Sequence, residues 1–233
     1  MSANSNYREI SLNPNDDQRF RNLLRPSHWD SKQFKQVLLA SAQIDVFPYT
    51  TPESIHLGGF RKVIDDLKKI TQKTGNECGR VLLVNIKTNQ LLAGKICKGD
   101  NKSCVIKTSI PKSGLACLKL IVSIHIHPNE FIGLGFSPED NISFLTENQL
   151  IATLINCGDT ELLLIKTAST PNNYKREQVE KQILQIIKDY ITKNSTLLDF
   201  IRLQKEICLE NGLSLFISTE ANRDLAKKVN LID

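Results

Sequence analysis

His125 and His127 stand one residue apart in the stretch SIHIHPNEFIGLGFSPEDN, and they are two of only four histidines in the 233-residue chain. The apolar run before them predicts a β-strand, and residues two apart on a strand point to the same face. Both imidazoles can therefore face one point. Two converging imidazoles supply two of the three protein ligands of a catalytic zinc site, in which water takes the fourth position. The spacing thus indicates a metal site that needs a third ligand.

Asp140 is the candidate for that third ligand. It ends the sequence Ser-Pro-Glu-Asp, which is typical of a helix start with a serine N-cap and acidic residues in the first turn. Gly133 and Gly135 permit a sharp return of the chain, so the loop 128–136 can fold Asp140 over the histidines. Ser137, one helical turn earlier, would then lie at the rim of the same site. Zinc binds imidazole and carboxylate together and needs no redox partner.

Each of these residues also has an ordinary structural interpretation. A pair of histidines on a strand can be incidental, and Ser137 can serve only as a helix N-cap. Asp140 can be a first-turn carboxylate that the helix dipole favours. The order of the surrounding elements must therefore be considered with the residues themselves.

The chain around the motif predicts an alternation of helices and strands. Within residues 52–75, apolar residues recur at a spacing of three and four from Phe60 to Ile70, which predicts a helix that Gly75 follows. RVLLVNIKTNQLLAGKI then predicts two strands, CVIKTSI a third, and residues 120–126 a fourth that Pro128 ends. After the helix that begins near Ser137, LIATLIN and ELLLIKT predict two further strands.

The pattern H-x-H-P, a loop and then S-x-x-D resembles the signature of the JAMM or MPN-domain zinc metalloproteases. This family includes deubiquitinating enzymes, prokaryotic relatives that cut ubiquitin-like conjugates, and RadC-like proteins. The resemblance covers roughly residues 55–168. It implies an α/β fold of the α+β type, in which helices flank a curved mixed β-sheet. The matching residues are His125, His127, Pro128, Ser137 and Asp140.

Carried over to these positions, the resemblance implies that Zn²⁺ is bound by His125, His127 and Asp140. It also implies a glutamate upstream, which the segment NECGRVLLVN supplies as Glu77. From the residues alone, Glu77 would be an ordinary solvated carboxylate. In the family's arrangement it is the general acid/base that hydrogen-bonds the attacking water, and Ser137 stabilises the developing oxyanion. The implied reaction is hydrolysis of a peptide or isopeptide bond, in a ubiquitin-like or other protein substrate.

The resemblance divides the chain into three parts. Residues 51–170 form the metalloprotease domain and residues 1–50 an N-terminal extension. Helical spacing after Pro171 predicts a helical C-terminal extension over 171–233, which would select a substrate or meet a protein partner. The loop 128–136 is a candidate lid. Two other hypotheses stay open: a non-catalytic MPN-like or RadC-like module for protein assembly or nucleic-acid binding, and a metal hydrolase of a small amide.

Composition narrows the class of protein. With 40% hydrophobic and 24% charged residues, the chain has an ordinary globular composition. Its net charge of +5, from 30 basic and 25 acidic residues, is spread along the sequence and is only weak evidence for a nucleic-acid partner, so we do not expect one. No signal-like N-terminus and no apolar run of ~20 residues is present, so we expect neither secretion nor membrane insertion. Six scattered cysteines without a C-x-x-C pair favour a reducing, cytoplasmic location.

Overall fold

The computed structural model describes residues 27–101, 103–106, 117–128, 135–190 and 197–231. Within these residues the chain is a mixed α/β protein with five α-helices and a ten-stranded mixed sheet. The helices are α1 Ser31–Ile44, α2 Arg61–Thr74, α3 Pro138–Thr146, α4 Arg176–Tyr190 and α5 Leu197–Glu210. The strands are β1 His28–Trp29, β2 Ser54–His56, β3 Cys78–Asn85, β4 Gln90–Ala93, β5 Cys97–Lys98, β6 Leu118–His127, β7 Ala152–Cys157, β8 Thr160–Lys166, β9 Leu213–Thr219 and β10 Leu225–Lys228.

The histidine strand lies inside the sheet. The strand order is β1-β2-β10-β9-β8-β7-β6-β3-β4, and β5 also pairs with β3. β6 runs antiparallel to β3 and parallel to β7, so neighbours hold it on both sides. It ends at His127 and Pro128 follows, as the sequence predicts. A central strand is fixed by two ladders of hydrogen bonds, which makes its last residues a rigid base for a site.

Helices cover both faces of the sheet. On one face, Phe34 and Leu38 of α1 and Leu67 of α2 pack in a core with Ile124 and Ile126 of β6. On the other face, side chains of α3, α4 and α5 pack against β7, β8 and β9 in a second core, which includes Phe144, Val179, Ile183, Ile207, Ile155 and Leu164. Since Ile124 and Ile126 belong to the first core, His125 and His127 point toward the face that α3–α5 cover.

A β-bulge in β6 sets which of its side chains reach that face. Val122 pairs with Leu82 and Leu120 with Leu83, so Ile121 is the extra residue. Leu120 belongs to the second core, whereas Ile121 and Val122 both belong to the first. The bulge therefore places Leu120, three residues before Ser123, on the same side of the strand as Ser123, His125 and His127.

Most of the predicted elements are confirmed. α2 ends at Thr74, and Gly75 follows it as the predicted C-cap, with a left-handed φ of 68°. The β3–β4 pair, β6, α3, β7 and β8 also occupy the predicted positions. The strand predicted at CVIKTSI is wrong for residues 104–106, which have no regular structure, and the short strand β5 lies before it. The rest of CVIKTSI, residues 1–26 and most of the predicted lid lie outside the described residues.

The prediction of a wholly helical C-terminal extension is wrong. α4 and α5 are helices, but β9 and β10 follow them and extend the sheet through β8. Leu215 and Phe216 of β9 enter opposite cores, so the strand is buried on both faces and its sequence lacks a polar alternation. Residues 28–44 likewise add β1 and α1 to the same fold. None of the described helices combines the length and apolar character needed to cross a bilayer.

A buried lysine anchors the end of α3. Lys166, at the end of β8, is 1% exposed and donates a hydrogen bond from Nζ to the Glu147 carbonyl oxygen at 2.7 Å. Glu147 is the C-cap of α3, so Lys166 satisfies one of the carbonyls that a helix end leaves free. The ring of Phe144 lies 4.8 Å from Nζ. Burial lowers the pKa of Lys166 to about 7.

This lysine should make stability depend on pH. The folded-state pKa of Lys166 lies below the ordinary value of 10.5. Burial of the charged amine therefore lowers the free energy of unfolding by its full amount below pH 7, and this loss becomes smaller as the pH rises toward 10.5. The free energy of unfolding of wild type, relative to Lys166→Met, should therefore rise by roughly 1 kcal/mol per pH unit between pH 7 and 9. Urea unfolding measures this, with exposed Lys62→Met as the control. If the free energies of unfolding of wild type and Lys166→Met changed in parallel with pH, the lowered pKa of Lys166 would be refuted.

Candidate metal centre

The last residues of β6 bring the two histidines together. Their ring centroids are 5.0 Å apart, and both residues are buried, at 5% and 7% exposure. In the sheet, His125 lies between Gly79 of β3 and Ile155 of β7. His127 lies beside Cys157, whose Sγ is 3.7 Å from His127 Nδ1. Both imidazoles therefore project into the same space above β6, as their spacing predicts.

Gly79 makes room for His125. A Cβ atom at position 79 would lie 2.8 Å from the Cβ of His125, 2.9 Å from the carbonyl oxygen of Ile124 and 2.6 Å from Ile106 Cδ1. Two of these atoms are fixed by the sheet backbone and cannot move away cheaply. A residue larger than glycine at this position would therefore displace His125.

We expect Gly79→Ala to weaken metal binding at least about tenfold, since moving a support of a ligand typically costs ten- to a hundredfold in affinity. The added methyl group should also destabilise the fold by roughly 1–3 kcal/mol. Competition with a fluorescent zinc chelator measures the first effect and urea unfolding the second. Gly59→Ala is the matched control, because its Cβ would meet Ser31 Cβ at an ordinary 3.5 Å. Equal zinc affinity in the two variants would contradict the role given to Gly79.

A capping box at the start of α3 positions Asp140. The Ser137 hydroxyl accepts a hydrogen bond from Asp140 N at 3.1 Å, and Asp140 Oδ2 accepts one from Ser137 N at 2.8 Å. The carboxylate is thus held at the helix N-terminus with Oδ1 turned toward His125. Asp140 Oδ1 lies 3.3 Å from His125 Nε2, and Oδ2 lies 4.0 Å from His127 Nε2.

These three side chains have the arrangement of a metal-binding group. One ligand atom from each of His125, His127 and Asp140 lies within 4.8 Å of the other two. Tetrahedral zinc with ligand distances of about 2.0–2.1 Å places its ligands roughly 3.3–3.4 Å apart, close to the 3.3 Å between His125 Nε2 and Asp140 Oδ1. Among the described residues, neither ring nitrogen of buried His125 has a hydrogen-bond partner. The donor set therefore fits a divalent metal ion.

The electrostatics of the site favour a cation. Burial alone would lower the pKa of His125, but Asp140 and Glu77 outweigh it and raise that pKa. Burial alone would raise the pKa of Asp140, but the facing His125 and the Ser137 hydrogen bond hold it below its ordinary value. The carboxylates that stabilise a proton on His125 would also stabilise a metal ion at the same place.

Glu77 lies beside the ligands but outside the ligand group. Its Oε1 is 3.6 Å from His127 Nε2, yet it is not one of the three residues that converge within 4.8 Å. Backbone hydrogen bonds fix it just before β3: its N–H donates to Asp100 O at 2.7 Å and its carbonyl accepts from Gly99 N at 2.9 Å. The residue is 8% exposed, and burial raises the pKa of its carboxyl group to about 7. This position suits a group that exchanges a proton next to the metal.

One supporting contact was missed by the sequence analysis. Asn141 follows Asp140 and is 1% exposed, and its side-chain amide pairs reciprocally with Gln204 of α5, at 3.0 and 3.3 Å. Asn141 Nδ2 also donates to the Ser137 carbonyl oxygen at 3.1 Å. The helix that carries Asp140 is therefore tied to a helix outside the predicted metalloprotease domain. No local signal in the sequence joins two residues so far apart.

The five predicted site residues line one cleft. This cleft has a volume of about 630 Å³ and is walled by β6, α3, residues 103–106, and parts of α4 and α5. Glu77, His125, His127, Ser137 and Asp140 all contribute to its lining. Ser137 is the N-cap of α3, which confirms its structural interpretation, and its hydroxyl retains a proton that it can donate. Its oxyanion role stays a prediction.

The fold and the site together define a mixed α/β protein with a buried His-His-Asp candidate metal centre at the end of a central strand. Comparisons of the chain with protein-family models, with curated proteins and with solved structures found no match.

Proposed function

We propose that this chain is a zinc-dependent hydrolase of the JAMM or MPN-domain type that cleaves an amide bond. The observation that carries the proposal is the convergence of His125, His127 and Asp140 beside a buried glutamate that is not itself part of the ligand group. Structural zinc sites are closed by four protein ligands, whereas catalytic sites use three and keep one position open. The described residues provide three.

Zinc is the proposed metal because of the donor chemistry. Two imidazoles and one carboxylate suit zinc, whereas calcium and magnesium prefer sites built wholly from oxygen ligands. A bound zinc ion supplies Lewis acidity to a substrate carbonyl and lowers the pKa of a water to ~7.

The chain's own residues would act around that metal in three ways. Glu77 would take a proton from the attacking water and pass it to the leaving amine, which its buried place beside His127 allows. The Ser137 hydroxyl would donate a hydrogen bond to the developing oxyanion. The capping box and the Asn141–Gln204 pair would hold Asp140 in place during the reaction.

Because the candidate metal ligands, Glu77 and Ser137 all lie in one cleft, an enzyme is favoured over a non-catalytic binding module. A protein that acts only in assembly needs neither a converging ligand group nor a buried carboxylate with a raised pKa. The proposed substrates are peptide or isopeptide bonds in a ubiquitin-like or other protein, since the resemblance of the motif to the isopeptidases suggests them. A cytoplasmic location is proposed on the cysteine pattern.

Removal and return of metal test the proposal. Purified protein should lose hydrolysis of a ubiquitin-like fusion and of an isopeptide-linked conjugate after treatment with a chelator. Zinc should restore it, and magnesium should not. Hydrolysis that persists in the metal-free protein would show that this site does not carry the activity. Absence of hydrolysis from zinc-loaded protein towards every amide tested would favour the binding-module hypothesis.

A further inference from the structure

The cleft continues far beyond the metal centre. Ser123 lies two residues before His125 on the same side of β6, and its hydroxyl donates to Thr153 Oγ1 at 2.7 Å on the cleft floor. Leu150 lies at the far end of the cleft. The next residue, Ile151, donates a backbone hydrogen bond to the Ile121 carbonyl oxygen at 2.9 Å, so Leu150 lies near the level of Ile121. Four residues of strand separate that level from His125, which corresponds to about 13 Å.

The far part of the cleft is apolar. We call it the apolar arm and define it by Phe144, Leu150, Ile187, Phe200, Leu203 and Ile207. Three of these side chains come from α5, one from α4 and one from α3, so the C-terminal helices close it. The charged residues that line the cleft are Glu77, Glu139 and Asp140, and they lie at the metal end. Among the described lining residues there is no lysine or arginine. Any group that enters the arm must therefore be uncharged and apolar.

The position of Glu77 decides which side of a substrate enters the arm. Glu77 lies next to His127, at the end of β6, whereas the arm extends from Ser123 in the opposite direction along the strand. In the proposed reaction Glu77 delivers the proton to the leaving amine, so the amine must lie on the Glu77 side. The acyl side of the amide then points along β6 toward α5.

We propose that the apolar arm binds the acyl group of the substrate and selects amides with a large apolar group on the carbonyl side. This inference rests on the proposed hydrolase function. The carbon–nitrogen bond of the amide breaks, hydroxyl from water joins the carbonyl carbon, and the proton joins the amine, which gives a carboxylic acid and a free amine. The acyl group can be a fatty chain or a peptide residue with a large apolar side chain, and both present the same chemistry to the arm.

Two series of compounds test this with zinc-loaded protein. The first is binding of acetate, butyrate, hexanoate and octanoate by calorimetry, which needs no turnover. The second is hydrolysis of the corresponding acyl p-nitroanilides, together with peptide anilides that have alanine, leucine or phenylalanine before the scissile bond. Each added methylene should raise affinity and kcat/KM about fourfold until the arm is full. Faster cleavage of octanoyl than of leucyl or phenylalanyl compounds assigns the arm to fatty acyl groups, and the reverse assigns it to peptides.

Two variants on one helix make the test specific. Leu203→Trp fills the arm, whereas Leu209→Trp places the same side chain at a position that is 47% exposed and outside the cleft. The octanoate-to-acetate affinity ratio should fall at least about tenfold in Leu203→Trp and keep its wild-type value in Leu209→Trp. Chain-length-dependent binding without hydrolysis would support the arm and refute the hydrolase. Hydrolysis without chain-length dependence, or equal ratios in the two variants, would overturn the arm alone.

Discussion

Replacing Glu77 by glutamine should abolish hydrolysis while metal binding persists. The substitution keeps the size and the hydrogen-bonding capacity of the side chain but removes the group that exchanges a proton. A positioned general acid/base contributes about 10²- to 10⁴-fold, so kcat should fall by at least a hundredfold. Because Glu77 lies outside the ligand group, the zinc content should equal that of wild type. Steady-state kinetics and elemental analysis of the same preparation measure the two quantities.

Glu139→Gln is the matched control for that experiment. Glu139 also lines the cleft, but its carboxylate is exposed and pairs with Arg176 at 2.7 Å. The Glu139→Gln variant should therefore have the kcat of wild type. Zinc lost from Glu77→Gln would mean that Glu77 is a ligand and not a base. Wild-type kcat in Glu77→Gln would remove it from the mechanism.

Among the substitutions proposed for this chain, Arg61→Met should lower the free energy of unfolding the most. Arg61, at the start of α2, binds Glu161 of β8 with two hydrogen bonds of 2.6 and 3.0 Å. Glu161 is 4% exposed and also accepts a hydrogen bond from the Ser218 hydroxyl at 3.0 Å. Removal of Arg61 leaves a buried carboxylate without its cation, which typically costs about 3–5 kcal/mol. Urea unfolding should show a lower midpoint with an unchanged slope.

The double variant Arg61→Met, Glu161→Leu separates the loss of the pair from the loss of a side chain. Replacing both partners by apolar residues should recover most of the lost stability, because no unpaired charge stays buried. The exposed pair of Arg176 and Glu139 gives the contrast: Arg176→Met should leave the midpoint unchanged. A double variant as unstable as Arg61→Met would show that the loss came from packing and not from the charge.

The three candidate metal ligands were predictable because each depends on a local signal. Strand alternation places His125 and His127 on one face, and the N-cap pattern fixes Asp140 three residues after Ser137. Glu77 was predicted only through the resemblance, because it reaches His127 only when β3 pairs with β6, with Cys78 opposite Ile126, across a long stretch of sequence. The sequence alone contains no signal for that pairing.

Contacts made by the C-terminal helices were beyond sequence reasoning. Gln204 reaches Asn141 across 63 residues, and the apolar arm is formed from three helices whose packing no periodicity specifies. Spacing predicted that α4 and α5 have apolar faces but not what those faces cover. β9 was missed for a related reason, since a short strand buried on both sides has no polar alternation.

The zinc content of the purified protein tests directly whether His125, His127 and Asp140 bind a metal ion. Wild type, His127→Ala and His28→Ala should be loaded with zinc, desalted and analysed for zinc per folded chain. His28 lies on β1, at the far end of the sheet, and bonds Ser54 Oγ through Nδ1 at 2.9 Å. We expect about one zinc ion per chain in wild type and His28→Ala, and less than about a tenth in His127→Ala. Folded wild-type protein that retains no zinc, or His127→Ala that retains it fully, would show that these three residues do not form a zinc site.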